Sequence, residues 1–149
     1  MDTVDKKTRS RIMSSVRQRD TEPETRLRKA LHRRGLRYRT NVKELPGSPD
    51  LVFRGHRAVI FVHGCFWHRH GCKYTTTPKT RRPFWTDKFR RNMNRDRKKV
   101  ELLLDQHWRV LIVWECVIKE CDPDDSDQLA LVVSQWIKSN VAYEELIPG

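Results

Sequence analysis

Between Val62 and Cys72 the chain reads VHGCFWHRHGC, with three histidines, two cysteines and two large aromatics in eleven residues. Thiolate and imidazole are the groups that structural zinc takes, four at a time in a tetrahedron. Cys65, His70 and Cys72 supply three within eight residues, and the fourth must come from elsewhere. Cys116 or Cys121 could supply it. Cys116 is the better fixed, because it ends an apolar run, whereas Cys121 stands in an acidic loop. The spacing is not that of a standard zinc finger, and reduced cysteines among solvent-facing histidines would leave the same pattern. His63 and His68 fall outside this set. Near neutral pH an imidazole takes or gives a proton, or meets a phosphate as a cation.

An acid stands close by in the expected fold. Pro49-Asp50 opens one strand of a hairpin whose second strand ends at His63. A carboxylate there, with a backbone carbonyl from the second strand, is a seat for Mg²⁺, which prefers oxygen ligands and completes its shell with water and substrate phosphate. Such an ion activates water and offsets charge on a leaving oxygen. An aspartate after proline can also simply turn the chain.

The elements that must position these groups follow from the rest of the sequence. Its 149 residues suffice for one domain with a core of its own. The divisions expected are a basic arm over 1–20, a core over 21–138 and a tail over 139–149. Thr21-Glu22-Pro23-Glu24 reads as a capped helix start, Leu27, Ala30 and Leu31 as its apolar stripe, and Gly35 as its stop. Leu36 to Thr40 alternates as a half-exposed strand, and a turn-rich segment leads to the hairpin over residues 50–63. Lys73 to Arg82 is a basic loop. A long helix is expected from Pro83 to about Gln106, a buried strand from Trp108 to Cys116, and a last helix through Leu129, Val133 and Ile137. The fold class is therefore α/β, a mixed central sheet flanked by helices.

Charge narrows the partner. Residues 1–99 carry 28 Lys and Arg against 9 Asp and Glu, a net +19, while residues 100–149 carry 3 against 10, a net −7. A basic part with aromatics among its arginines points to nucleic acid. The longest apolar run, Val110 to Trp114, is too short for a bilayer, and MDTVDKKTRSRIM lacks the apolar stretch of a signal peptide. The expected address is the cytoplasm, with no membrane partner.

These motifs together resemble the very-short-patch-repair (Vsr) endonucleases, bacterial DNA mismatch nickases. The likeness is carried by Asp5-Lys6-Thr8-Arg9-Ser10, Arg19-Asp20-Thr21, Leu45-Pro46-Gly47-Ser48-Pro49-Asp50 and Val59-Ile60-Phe61. It continues through His63-Gly64-Cys65-Phe66-Trp67-His68, His70, Cys72, Phe84-Trp85 and Asn94-Arg95-Asp96, and ends on Trp108 to Cys116. It runs from about residue 5 to 137.

The resemblance implies a restriction-endonuclease-like fold, a variant of the PD-(D/E)XK superfamily, with a structural zinc site. It implies Mg²⁺-dependent nicking on the 5′ side of the thymine of a T:G mismatch in double-stranded DNA, by a nucleoid-associated monomer that could meet mismatch-repair proteins. By carry-over, Asp50 binds Mg²⁺ with the Val62 carbonyl, His68 is the general base or water-orienting group, and His63 assists at the phosphate. Glu24 is a further acid near the site. Cys65, His70, Cys72 and Cys116 hold Zn²⁺. The superfamily's second acid and lysine are missing, since the second strand offers Phe61-x-His63, a departure the Vsr family shares. Phe66, Trp67 and Trp85 are candidates to wedge into the duplex. Opening a step there costs a few kcal/mol, and stacking returns roughly 1–3 kcal/mol per base. Core packing is the plainer use of such rings. Two other readings compete: a non-catalytic zinc-stabilised DNA-binding protein, and a related nuclease with another DNA target.

Overall fold

The computed structural model describes residues 22–65, 79–120 and 126–146. The basic arm, the proposed Thr21 cap, Phe66 to Pro78, the acidic loop with Cys121, and residues 147–149 lie outside the described residues.

Helix α1 spans Glu22–Arg33, with Glu22 and Glu24 in its first turn and His32 and Arg33 in its last. Both placements suit the helix dipole. Gly35 stops it as expected. At φ +88° it donates its N–H to the His32 carbonyl at 3.0 Å, while the Leu36 N–H reaches the Leu31 carbonyl at 3.1 Å. That pair is the Schellman closure, which needs a left-handed residue at this point. The strand expected from Leu36 forms only as β1, Arg39–Thr40, because its antiparallel partner offers just Leu51 and Val52.

The hairpin forms as expected. Strand β2 (Leu51–Phe53) turns through a short 3₁₀ segment, Arg54–His56, into β3 (Ala58–His63). The pairing is antiparallel, with Leu51 opposite Ile60. Helix α2 covers Arg82–Asp105 in one piece and leads back to β4, Arg109–Trp114, which lies parallel to β3. Two expectations need correcting here. Cys116 does not end the strand. Extended backbone stops at Trp114, and Cys116 lies in the short helix α3, Glu115–Lys119. The segment 139–149 is not simply a tail. After helix α4 (Ser126–Ile137), residues Tyr143–Leu146 form β5, parallel to β4. The sheet order is β1-β2-β3-β4-β5, and the class is mixed α/β, compatible with a restriction-endonuclease-like fold.

Alternation along the central strands gives the sheet two buried faces. Ala58, Ile60 and Val62 on β3 join Leu111 and Val113 on β4 in a core with Leu27 and Leu31 of α1 and Val133 and Ile137 of α4. Val59 and Phe61 join Val110, Ile112 and Trp114 in a second core, against Leu103 of α2. Burial on both sides explains why β4 reads as one apolar run.

Two arginines lock this layering. Arg57 donates to the carbonyls of Gln106 at 2.6 Å and His107 at 3.3 Å, and stacks over the Trp108 ring at 4.5 Å. Arg109 donates to the carbonyls of Trp136 and Ile137, and to that of His56 at 3.1 Å. Each closes off helix-end carbonyls that have no partner within their own helix.

Candidate active site

The site lies where β3 runs out of the sheet. Ladder pairing with β2 ends at Leu51, so the next inward N–H of β3, that of Val62, has no backbone acceptor opposite. The Asp50 carboxylate takes it: Oδ2 accepts from the Val62 N–H at 2.7 Å. Asp50 is 8% exposed and His63 7%. A buried carboxylate is tolerated only with such donors. In an extended strand the N–H and C=O of one residue face the same side, so the Val62 carbonyl turns toward the Asp50 edge.

Asp50, Val62 and His63 line one cavity of about 400 Å³. The hairpin therefore brings acid and imidazole together as the sequence suggests. The cavity's other wall is α2, through Asp96, Lys99 and Val100. Sequence reasoning gave the first two no role. The spacing 96, 99, 100 sets the three on one helical face, without saying that this face turns toward the site. The loop before Asp50 is fitted to that helix. Gly47 has φ +78°, and a Cβ there would stand 2.7 Å from Cδ of Lys99.

The imidazole of His63 is set by its neighbours on the sheet. It meets the Trp114 ring edge-on, 5.2 Å between centroids, and the Phe61 ring at 5.8 Å. On its far side a second, more apolar cavity of about 530 Å³ lies between α2 and the β4–β5 edge.

Zinc is testable in part. His63 and Trp114 are opposite one another in the parallel ladder, so Cys65 and Cys116, each two residues further on, leave the sheet side by side. The Cys65 N–H donates to Glu115 Oε1 at 2.9 Å, which ties the two chain segments together. Both cysteines are fully buried, and both are thiols rather than disulfide partners. They fit half of the expected donor set. His70 and Cys72 lie outside the described residues, as does His68. Among the described residues no group of three or more His, Cys, Asp and Glu is gathered around a metal position.

Other expected site residues fall elsewhere. Glu24 is 2% exposed on the buried stripe of α1, with Arg28 at 3.3 Å, and it does not line the cavity. Trp85, offered as a duplex wedge, is 4% exposed. It stacks on Phe89 at 5.8 Å and meets Phe84 edge-on at 5.4 Å. In this state Phe84, at 43% exposure, is the ring that faces outward. Phe66 and Trp67 lie outside the described residues.

A basic mixed α/β protein with a buried acid and an imidazole in one cavity is, as a class, a candidate phosphodiesterase. Comparison with known proteins makes this particular. The family profile described as DNA mismatch endonuclease Vsr matches residues 1–74. The chain is 43% identical over 136 residues to the DNA mismatch endonuclease Vsr of Escherichia coli (strain K12), covering 91% of this chain and 87% of that one. It is 43% identical over 119 residues to the Type II nicking enzyme V.XorIIP of Xanthomonas oryzae pv. oryzae, covering 80% and 88%. It is 40% identical over 111 residues to the Type II nicking enzyme V.NmeAIP of Neisseria meningitidis, covering 74% and 79%. The chain belongs to the Vsr DNA mismatch endonuclease family.

Proposed function

We propose that this protein nicks one strand of double-stranded DNA on the 5′ side of the thymine in a T:G mismatch, the product of 5-methylcytosine deamination, and so starts very-short-patch repair. The observation that carries this reading is the shared cavity of Asp50 and His63, within a chain 43% identical to a mismatch endonuclease.

Asp50 and the Val62 carbonyl would hold Mg²⁺, which supplies charge compensation at the leaving 3′ oxygen and favours ionisation of the attacking water. The chain's own groups do the rest. His63, braced between Phe61 and Trp114, contacts the scissile phosphate. His68 takes the proton from the attacking water or orients it, and Glu24, outside the cavity lining, would be an assisting acid by family resemblance alone. Cys65, His70, Cys72 and Cys116 would hold a structural Zn²⁺ that fixes the segment carrying His68. Phe66, Trp67 and Trp85 would enter the base stack, Trp85 by leaving its place against Phe89. The protein acts as a cytoplasmic monomer on the bacterial nucleoid, and mismatch-repair proteins are its candidate partners. Among the described residues no helix is long and apolar enough to cross a membrane.

The test is to incubate purified protein with T:G and matched duplexes, with and without Mg²⁺, and to measure zinc in the same sample. One nick, at T:G, with Mg²⁺ present, is expected, together with about one zinc per chain. An intact T:G duplex in the presence of Mg²⁺ overturns the nickase assignment.

A further inference from the structure

The β5 strand, which local sequence does not announce, brings a carboxylate to the site's back wall. Three neighbouring strands end on the same face with His63, Trp114 and Glu145. His63 and Trp114 are opposite one another in the ladder, and Glu145 lies opposite Ile112, one step before Trp114 on the same face. The indole Nε1–H of Trp114 donates to Glu145 Oε1 at 3.1 Å. The indole ring in turn meets the His63 ring at 5.2 Å and 76°. His63 and Trp114 are each 7% exposed.

The imidazole borders open space on both sides, the cavity it shares with Asp50 and the one it shares with Trp114, Tyr143 and Glu145. With cavities on both sides, the ring's setting depends on the groups packed against it, and Trp114 is the one that borders the second cavity. The indole borders that same space, and its polar end is tied to the edge strand.

We infer that Glu145 is a positioning residue for His63, acting through the Trp114 indole rather than on the substrate. Tyr143, two residues before it on β5, borders the same cavity as that carboxylate. The Tyr143 phenol is pushed up to about 12, by burial first and then by the negative charge of Glu145. The inference rests on the proposed role of His63 in strand cleavage, and it adds a residue that the zinc and Mg²⁺ sites do not involve.

Positioning errors near 1 Å slow reactions by about 10²-fold. A partly relaxed imidazole should therefore cost about tenfold. The experiment measures nicking under single turnover at saturating T:G duplex, beside the Kd of the same duplex. Glu145→Leu should nick about tenfold more slowly with Kd unchanged within about twofold, and Glu145→Gln, which keeps an acceptor oxygen, should stay within about twofold of wild type. Trp114→Phe removes the donor, so adding Glu145→Leu to it should slow the reaction no further. Wild-type rates in Glu145→Leu, equal losses in the Leu and Gln variants, or multiplying losses in the double variant would each overturn the inference. An inactive wild-type protein would refute the nickase reading instead. The ring nitrogen and carbon signals of His63 in labelled protein then decide the positioning role. Displacement by Glu145→Leu and restoration by Glu145→Gln support it, and unmoved signals refute it.

Discussion

The two faces of the sheet are built from the same strands, one residue out of phase, and they carry opposite kinds of work. Under α1 and α4, β3 presents Ala58, Ile60 and Val62, and the packing is mostly aliphatic, with Phe53 and Trp136 as its buried aromatics. Under α2, the alternate residues are Val59, Phe61 and His63, and the core holds Cys65, Cys116, Trp108 and Trp114. The second face is interrupted by two cavities, with Asp50, His63 and Asp96 at their walls. Period-two geometry lets one strand serve both purposes, and Val62 joins them, its side chain packed in the first core and its main chain turned to Asp50. Glu24 departs from this division, a carboxylate buried in the stripe of α1 on the side away from the cavity.

The contrast can be broken most sharply at Asp50. Asp50→Ala should reduce T:G nicking on the order of 10³-fold or more, about 4 kcal/mol of barrier, while the freed Val62 N–H costs no more than about 1–3 kcal/mol of stability. A matching drop in stability would place Asp50 among the structural residues instead. Leu31→Ala, on the aliphatic face and fully buried, should do the reverse. It should cost about 2–5 kcal/mol of stability, seen in urea unfolding, while the folded fraction nicks at the normal rate.

A smaller effect separates two uses of positive charge. Arg109 is bound to the carbonyls of Trp136, Ile137 and His56 and lies 4.9 Å over the Trp136 ring. Arg109→Ala should cost about 1–3 kcal/mol of stability and leave the salt dependence of DNA binding as it was. A slope reduced by about one charge would show that Arg109 meets phosphate. The smallest effect is alkaline. Tyr143 titrates near 12 in the folded chain, against its ordinary value of 10.0. Its contribution is therefore fully present below pH 10 and lost as pH rises toward 12. Because the ring is 42% exposed, solvent screening holds that contribution to under about 1 kcal/mol. Tyr143→Phe should flatten the stability profile above pH 10, and an unchanged alkaline limb would count against the Glu145–Tyr143 contact.

Local signals in the sequence carried much of this. The glycine stop of α1, the hairpin, the long second helix and the apolar fourth strand can each be read from a few adjacent residues. So could the meeting of Asp50 with His63, because a tight hairpin fixes its own register. Contacts made across long stretches of chain were not legible. Strand β5 is Tyr-Glu-Glu-Leu, half of it charged, and it is a strand because β4 offers it a free edge. Cys116 was favoured as a partner for Cys65 from residue type and the apolar run before it, but the parallel ladder closed by a 24-residue helix that brings the two together is encoded in no local pattern. Asp96 and Lys99 were hidden for a related reason. On a helix crowded with cations, nothing in the sequence says which side turns toward the strand ends. Trp85 shows the opposite failure, an aromatic in a basic segment whose ring is nonetheless packed away.

The missing methyl group at residue 47 has a consequence for how this site can evolve. The lysine stem of α2 occupies the volume that any side chain there would need, and the left-handed backbone leaves few residues able to stand in. Helix and loop are thus keyed to each other, and positions 47 and 99 must drift as a couple: bulk gained at one has to be surrendered at the other, or the lid of the reaction chamber lifts away from its floor.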